Sequence, residues 1–101
     1  MNDKAIMIYR IDGENGVRSQ NGRDAWALAE LLRAGKKGCT PINNPAPRWS
    51  AYIHNLRKDG LHIETITESH GGQFQGTHAR YVLHTPLEIR MSKGVNIGET
   101  A

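Results

Sequence analysis

Residues 47–60, Pro47-Arg48-Trp49-Ser50-Ala51-Tyr52-Ile53-His54-Asn55-Leu56-Arg57-Lys58-Asp59-Gly60, decide how this chain of 101 residues folds. Proline suits the first turn of a helix, where its missing N–H has no partner to lose. Gly60 suits the left-handed position just past a helix end. Between them, at 100° per residue, Trp49, Tyr52, Ile53 and Leu56 fall in one narrow stripe. That stripe is the predicted buried face. Ala51, His54 and Lys58 lie opposite it, flanked by Arg48, Ser50, Asn55 and Arg57. The outward face is therefore basic and rich in hydrogen-bonding groups, with small gaps at Ala and Ser.

Downstream of this helix the pattern predicts a hairpin. Leu61 to Thr67 is β-branched and partly alternating, Glu68 to Thr77 is a polar loop containing Gly71, Gly72 and Gly76, and His78 to His84 alternates again. In the return strand Ala79, Tyr81 and Leu83 point one way and Arg80, Val82 and His84 the other. Pro86 ends it. The stretch from about Arg90 is polar and reads as a disordered tail, residues 90–101.

Upstream of the deciding helix, Cys39-Thr40-Pro41 resembles an N-cap and first helical position, but Pro45 and Pro47 allow only about one turn. Before it, Gly35-Lys36-Lys37-Gly38 is a basic turn. A first helix runs from Arg23 or Asp24 to Ala34, capped by Asn21 or Asp24 and stopped by Gly35. Ala25, Leu28, Ala29 and Leu32 share its apolar face. Trp26 falls on the other side and calls for cover from the N-terminal strand or from a partner chain. That strand is Ala5 to Ile11, closed by the turn Asp12-Gly13-Glu14-Asn15-Gly16. Val17 to Gly22 reads as a short return strand or a loop. The resulting division is residues 1–22 as strand and turn, 23–89 as the main domain, and the tail.

Net charge is +3 and unevenly placed. Residues 31–60 carry Arg33, Lys36, Lys37, Arg48, Arg57 and Lys58 against Asp59 alone, a balance of +5, whereas the segments on either side each sum to −1. A clustered surplus can meet phosphates; a solvated basic surface is the other reading. The lone cysteine, Cys39, excludes an internal disulfide and suits a reducing, cytoplasmic setting. No apolar run is long enough to span a membrane, and the first residues lack the pattern of a secretion signal. Of the five histidines, His62, His70, His78 and His84 lie on or near the hairpin, but none has zinc-type spacing with Cys39, so no metal or other cofactor is expected. There are no paired carboxylates and no nucleophile motif, which argues against an enzyme. The glycines at 71, 72 and 76 are not followed by a helix and so do not form a phosphate-binding loop.

The order helix, short turn, basic helix, strand, glycine-rich loop, strand is α+β and has the order of a winged helix. The residues Thr40-Pro41, Ile53-His54-Asn55-Leu56-Arg57-Lys58-Asp59-Gly60 and Ala79-Arg80-Tyr81-Val82-Leu83 resemble short winged helix-turn-helix proteins of phages and prophages. The resemblance covers about residues 24–84, with His70-Gly71-Gly72 to Gly76-Thr77-His78 as the wing. It implies a non-enzymatic regulator that binds double-stranded DNA. The helix would enter a major groove with Arg48, Ser50, His54, Asn55, Arg57 and Lys58 as its readers, Lys36, Lys37 and Lys58 would meet phosphates, and Gln73, Gln75, Thr77, His78 and Arg80 would reach backbone or minor groove from the wing. The shortened second helix departs from the pattern, since that helix normally braces the reader on the DNA backbone. It favours the alternative, a winged helix used for protein contact. A homodimer through the apolar N-terminal strand is a further expectation.

Overall fold

A computed structural model describes residues 4–71 and 76–95. Strand β1 (Ile6–Ile11) alternates as its sequence demands: Met7, Tyr9 and Ile11 are buried, while Ile6, Ile8 and Arg10 are half-buried. A turn at Gly13, whose φ of 91° favours glycine, returns the chain into β2 (Arg18–Asn21). The other edge of β1 is taken by β5 (Leu87–Lys93), giving an antiparallel sheet ordered β2-β1-β5, with a register shift between Ile8 and Tyr9. Two expectations are corrected here. The N-terminal strand pairs with neither the wing nor a second copy, because both of its edges are already occupied within the chain. Residues Arg90 to Lys93 are strand rather than tail; Leu87-Glu88-Ile89-Arg90-Met91 alternates, and β1 supplies its ladder. Residues 96–101 lie outside the described residues.

Helix α1 (Gly22–Ala34) leaves β2 without a linker. Its Asn21 N-cap makes no side-chain capping bond, and Asp24 does not cap it either. Ala25, Ala27, Leu28, Ala29, Glu30 and Leu31 are all buried, more than one face's worth. The cause is position: the sheet packs on one side, and the second helix and the wing on the other. A single core therefore joins Met7, Tyr9 and Ile11 to Leu28, Leu31, Ile53 and Leu56, so residue 22 does not divide two folding units.

A single 3-10 turn at Gly35–Lys37 ends α1 and leads to Cys39, which exchanges two backbone hydrogen bonds with Tyr81, 2.9 Å from its N–H to the Tyr81 carbonyl and 2.8 Å in return. The short segment expected here, about one turn long, is a hydrogen-bonded turn. Thr40 holds it, its Oγ1 accepting from the Asn43 N–H at 2.9 Å and its carbonyl from the Asn44 N–H at 2.8 Å.

Helix α2 (Trp49–Lys58) begins two residues after Pro47, with Arg48 at the N-cap position. Its inward stripe is the one the spacing predicts: Trp49, Tyr52, Ile53 and Leu56. It ends in the paired-bond motif that favours glycine, Gly60 N–H to Arg57 carbonyl at 3.0 Å and Leu61 N–H to Leu56 carbonyl at 3.2 Å, with Gly60 at φ 91° and Leu61 buried. Strands β3 (Ile63–His70) and β4 (Gly76–Leu83) then form the wing, paired from Ile63↔Leu83 to His70↔Gly76.

Within the chain, Trp26 is covered by α2 rather than by the N-terminal strand. It packs on α2, its ring centroid 5.4 Å from that of Trp49 and 6.4 Å from that of Tyr52. Trp49 in turn stacks on Tyr81 of β4 at 6.0 Å, and its indole N–H donates to the Asn44 carbonyl at 2.6 Å. These aromatics hold α1, α2, the turn and the wing in one arrangement.

Candidate nucleic-acid interface

The outward face of α2 is built by helical spacing alone. Ser50, His54 and Lys58 recur every four residues and so stand in one row, with Arg48 at the helix start; all four are exposed. Among the described residues none of their side chains has a protein partner, and the same is true of Lys36 and Lys37 on the turn after α1. The last two stand beside the wing rather than beside α2, since the Lys37 carbonyl accepts from Arg80 Nη1 at 2.8 Å.

Other predicted readers are already engaged. Asn55 donates its amide to both carboxylate oxygens of Asp24 at 3.2 and 3.3 Å, tying α2 to the first turn of α1. Arg57 points away from the row toward the wing. Its guanidinium donates to the Ile63 carbonyl, at 3.1 Å from Nε, and to Thr65 Oγ1 at 2.8 Å. This side chain fixes where β3 leaves the helix. Its planar fork suits two acceptors at once.

The wing has two different faces. Register places Thr65, Thr67 and Ser69 on the same side as Tyr81, Ala79 and Thr77. Because Tyr81 stacks on Trp49, this hydroxyl-lined face is the one continuous with α2. Of the predicted wing contacts, Thr77 lies on it. His78 and Arg80 lie on the opposite face, where Arg80 grips Glu68 at 2.6 and 3.0 Å and His78 Nε2 reaches the same carboxylate at 3.1 Å. The Arg80 guanidinium holds the Glu68 carboxyl below its ordinary range, with His78 adding to the effect. Gln73 and Gln75 lie outside the described residues.

Residues that the sequence pattern does not single out complete the surroundings. Arg23 is exposed and stands over α2, Nη1 3.5 Å from the Tyr52 hydroxyl. Arg18 and Gln20 of β2 clamp the helix end, donating to the Asp59 carbonyl at 2.8 Å and to its carboxylate at 2.7 Å. Nothing local in the sequence joins positions 18 and 59. A polar cavity of about 280 Å³ lies beside the turn that replaces the second helix, lined by Glu30, Arg33, Lys37, Asn43 and Asn44 among others. Cys39 is buried at the wing base, and burial pushes its thiol up to about 11. It is a packing residue rather than a nucleophile. No helix among the described residues is long and apolar enough to cross a membrane.

A helix that presents an unpartnered polar row and leads into a two-stranded wing, with α1 behind it and a one-residue strand at Cys39 completing the wing base, defines a winged helix. A family model described as a winged helix domain matches residues 17–93, and the chain belongs to that family. No curated protein and no solved structure matches it.

Proposed function

We propose that this chain is a non-enzymatic, intracellular regulator of the phage or prophage type that binds double-stranded DNA, with α2 in the major groove. One observation carries the reading: the row Arg48, Ser50, His54 and Lys58 is exposed and, among the described residues, unpartnered on the helix that a winged helix uses for recognition. The first residues of such a helix approach base edges. Arg48 and Ser50 are therefore the base readers, His54 follows one turn later, and Lys58 meets a phosphate. The hydroxyl face of the wing, Thr65, Thr67, Ser69 and Thr77, lies along the backbone beside the groove, with Lys36 and Lys37 adding charge at the wing's side.

The turn at Thr40 to Asn44 stands in for the brace. Asn43 and Pro41 are exposed, while the turn itself is rigid through its Thr40 bonds. A protein-contact role is the second reading, favoured by the engagement of Arg57 and Arg80 inside the fold.

Titration with random duplex DNA at several salt concentrations tests the proposal. Three phosphate contacts, from Lys36, Lys37 and Lys58, predict log K falling against log[salt] with a slope of about −3. Absence of binding even at low salt refutes DNA recognition and leaves the protein-contact reading.

A further inference from the structure

The face of the wing turned away from α2 carries a group of side chains that DNA binding does not use. Cross-strand register sets His78 opposite Glu68 and His70 opposite Gly76, so the two histidines are diagonal neighbours on one face. Their rings stack with centroids 5.1 Å apart and planes inclined by 26°, and the two Nδ1 atoms stand 2.9 Å apart. Such a contact holds one proton between two nitrogens. Two protonated rings would set N–H against N–H and break it.

The separation has a second meaning. Two imidazole nitrogens bound to one divalent ion at about 2.0–2.1 Å stand about 2.9 Å apart at a right angle and about 3.3 Å apart at the tetrahedral angle. The pair is thus already spaced as adjacent ligands. The rest of the arrangement is what a ligating imidazole requires. Glu68 accepts from His78 Nε2 at 3.1 Å, which in the neutral ring leaves the lone pair on Nδ1, facing His70. Arg80 fixes Glu68 through two bonds, so the carboxylate that orients the ring is itself oriented. The His78 side chain is only 14% exposed, which shelters the site on one side. Across the strand, Gly76 offers no side chain to crowd the His70 ring, whose Nε2 a Cβ there would approach to 3.4 Å.

We propose that His70 and His78 bind a divalent transition-metal ion of the copper, nickel or zinc class and thereby clip the two wing strands together. Imidazole nitrogen selects these ions over calcium and magnesium, which take oxygen ligands. The ion sits off the line between the two Nδ1 atoms, about 2.0–2.1 Å from each, with each ring tilting to aim its lone pair at it, and it replaces the proton held between them. That proton leaves, His70 Nε2 takes one up, and water fills the remaining coordination positions.

The hairpin holds a built-in control. The rings of His62 and His84 also approach, with centroids 5.2 Å apart and Glu64 on His84 Nε2 at 2.7 Å, but no nitrogen–nitrogen contact forms between them among the described residues. Calorimetric titration of the full chain with zinc and with copper(II) tests the proposal, each variant being checked for native circular dichroism. One ion per chain is expected. His70→Ala and His78→Ala should each lower affinity at least about tenfold, since each removes one of two protein ligands. Glu68→Gln, which keeps both rings, should lower it by about 10–100-fold. His62→Ala should change nothing. His70→Ala lies on an exposed strand and leaves the Glu68–Arg80 pair intact, so its result holds even if His78→Ala perturbs the wing. Binding that survives His70→Ala, binding abolished by His62→Ala, or no binding by the native chain overturns the site.

Discussion

Adjacent cations on α2, Arg57 and Lys58, should behave in opposite ways when removed. Arg57→Ala deletes a guanidinium that donates to the Ile63 carbonyl and to Thr65 Oγ1, leaving a partly buried carbonyl without its donor. Hydrogen bonds from charged donors contribute roughly 1.5–3 kcal/mol. Part of this one's setting is open to water, which reduces the expected loss to about 1–2 kcal/mol. For a chain of this size that lowers Tm by roughly 5–15 °C. Lys58→Ala removes an exposed side chain with no protein partner among the described residues and should shift stability by less than about 0.5 kcal/mol. In the DNA titration the order reverses: Lys58→Ala should weaken binding to all sequences alike and reduce the salt slope by about 1. Arg57→Lys separates charge from geometry. It keeps the positive charge at the helix end, where the dipole favours it, but cannot span two acceptors with a planar fork, so most of the stability loss should remain. Thermal unfolding followed by circular dichroism reads the first effect and fluorescence anisotropy on labelled duplex the second. An Arg57→Ala protein that melts within about 2 °C of the parent would refute the assignment of Arg57 to the wing.

Gly38 has φ 73°, and a Cβ there would stand 2.6 Å from the Tyr81 carbonyl oxygen, a backbone atom that cannot swing aside. Gly38→Ala should therefore cost more than about 2 kcal/mol and show reduced soluble yield and Tm, whereas Gly71→Ala, whose Cβ would meet nothing within 4 Å among the described residues, should not. The folded chain holds the Cys39 thiol protonated up to about 11, above its ordinary value of 9.0. Its contribution to stability is then complete below pH 9 and lost as pH rises toward 11, because the unfolded chain releases that proton first. A thiol reagent at pH 8 should label Cys39 only after denaturant is added; rapid labelling of the native chain would contradict its burial. Trp49→Phe removes the indole N–H that donates to Asn44 and thins the stack on Tyr81, so it should lower stability by about 1–2 kcal/mol and weaken the near-UV circular dichroism.

The parts of the fold legible in sequence are those whose causes are local. Gly60 marks the end of α2 because left-handed backbone there needs glycine, and Trp49, Tyr52, Ile53 and Leu56 mark its inner face because helical spacing aligns them. The hairpin comes from alternation and glycines. Trp26 is misread by any rule in which a helix buries one side, because α1 has neighbours on both. Strand β5 carries the right alternation, but its partner lies near the opposite end of the chain, and no local pattern announces such a pairing. The candidate site is legible in the same uneven way. Exposure of Arg48, Ser50, His54 and Lys58 follows from periodicity, but composition cannot distinguish a cation that faces solvent from one spent on a neighbouring strand, as Arg57 and Arg80 are. The His70–His78 contact depends on strand register, which spacing alone does not supply.

The central strand of the β2-β1-β5 sheet also sets an order of events. The winged-helix match begins at residue 17, so β1 lies outside it while both of its partners lie inside. Pairing β1 with β2 closes a short local turn, but pairing β1 with β5 closes a loop that contains both helices and the wing. Loop-closure entropy makes the second ladder the slower to form. During synthesis, Met7, Tyr9 and Ile11 emerge early and must wait with one ladder edge unpaired until β5 leaves the ribosome. The helices and wing can settle before then, so completion of the N-terminal sheet is a late event that depends on the distal strand. A chain stopped just before Leu87 would leave that edge open to pairing between molecules.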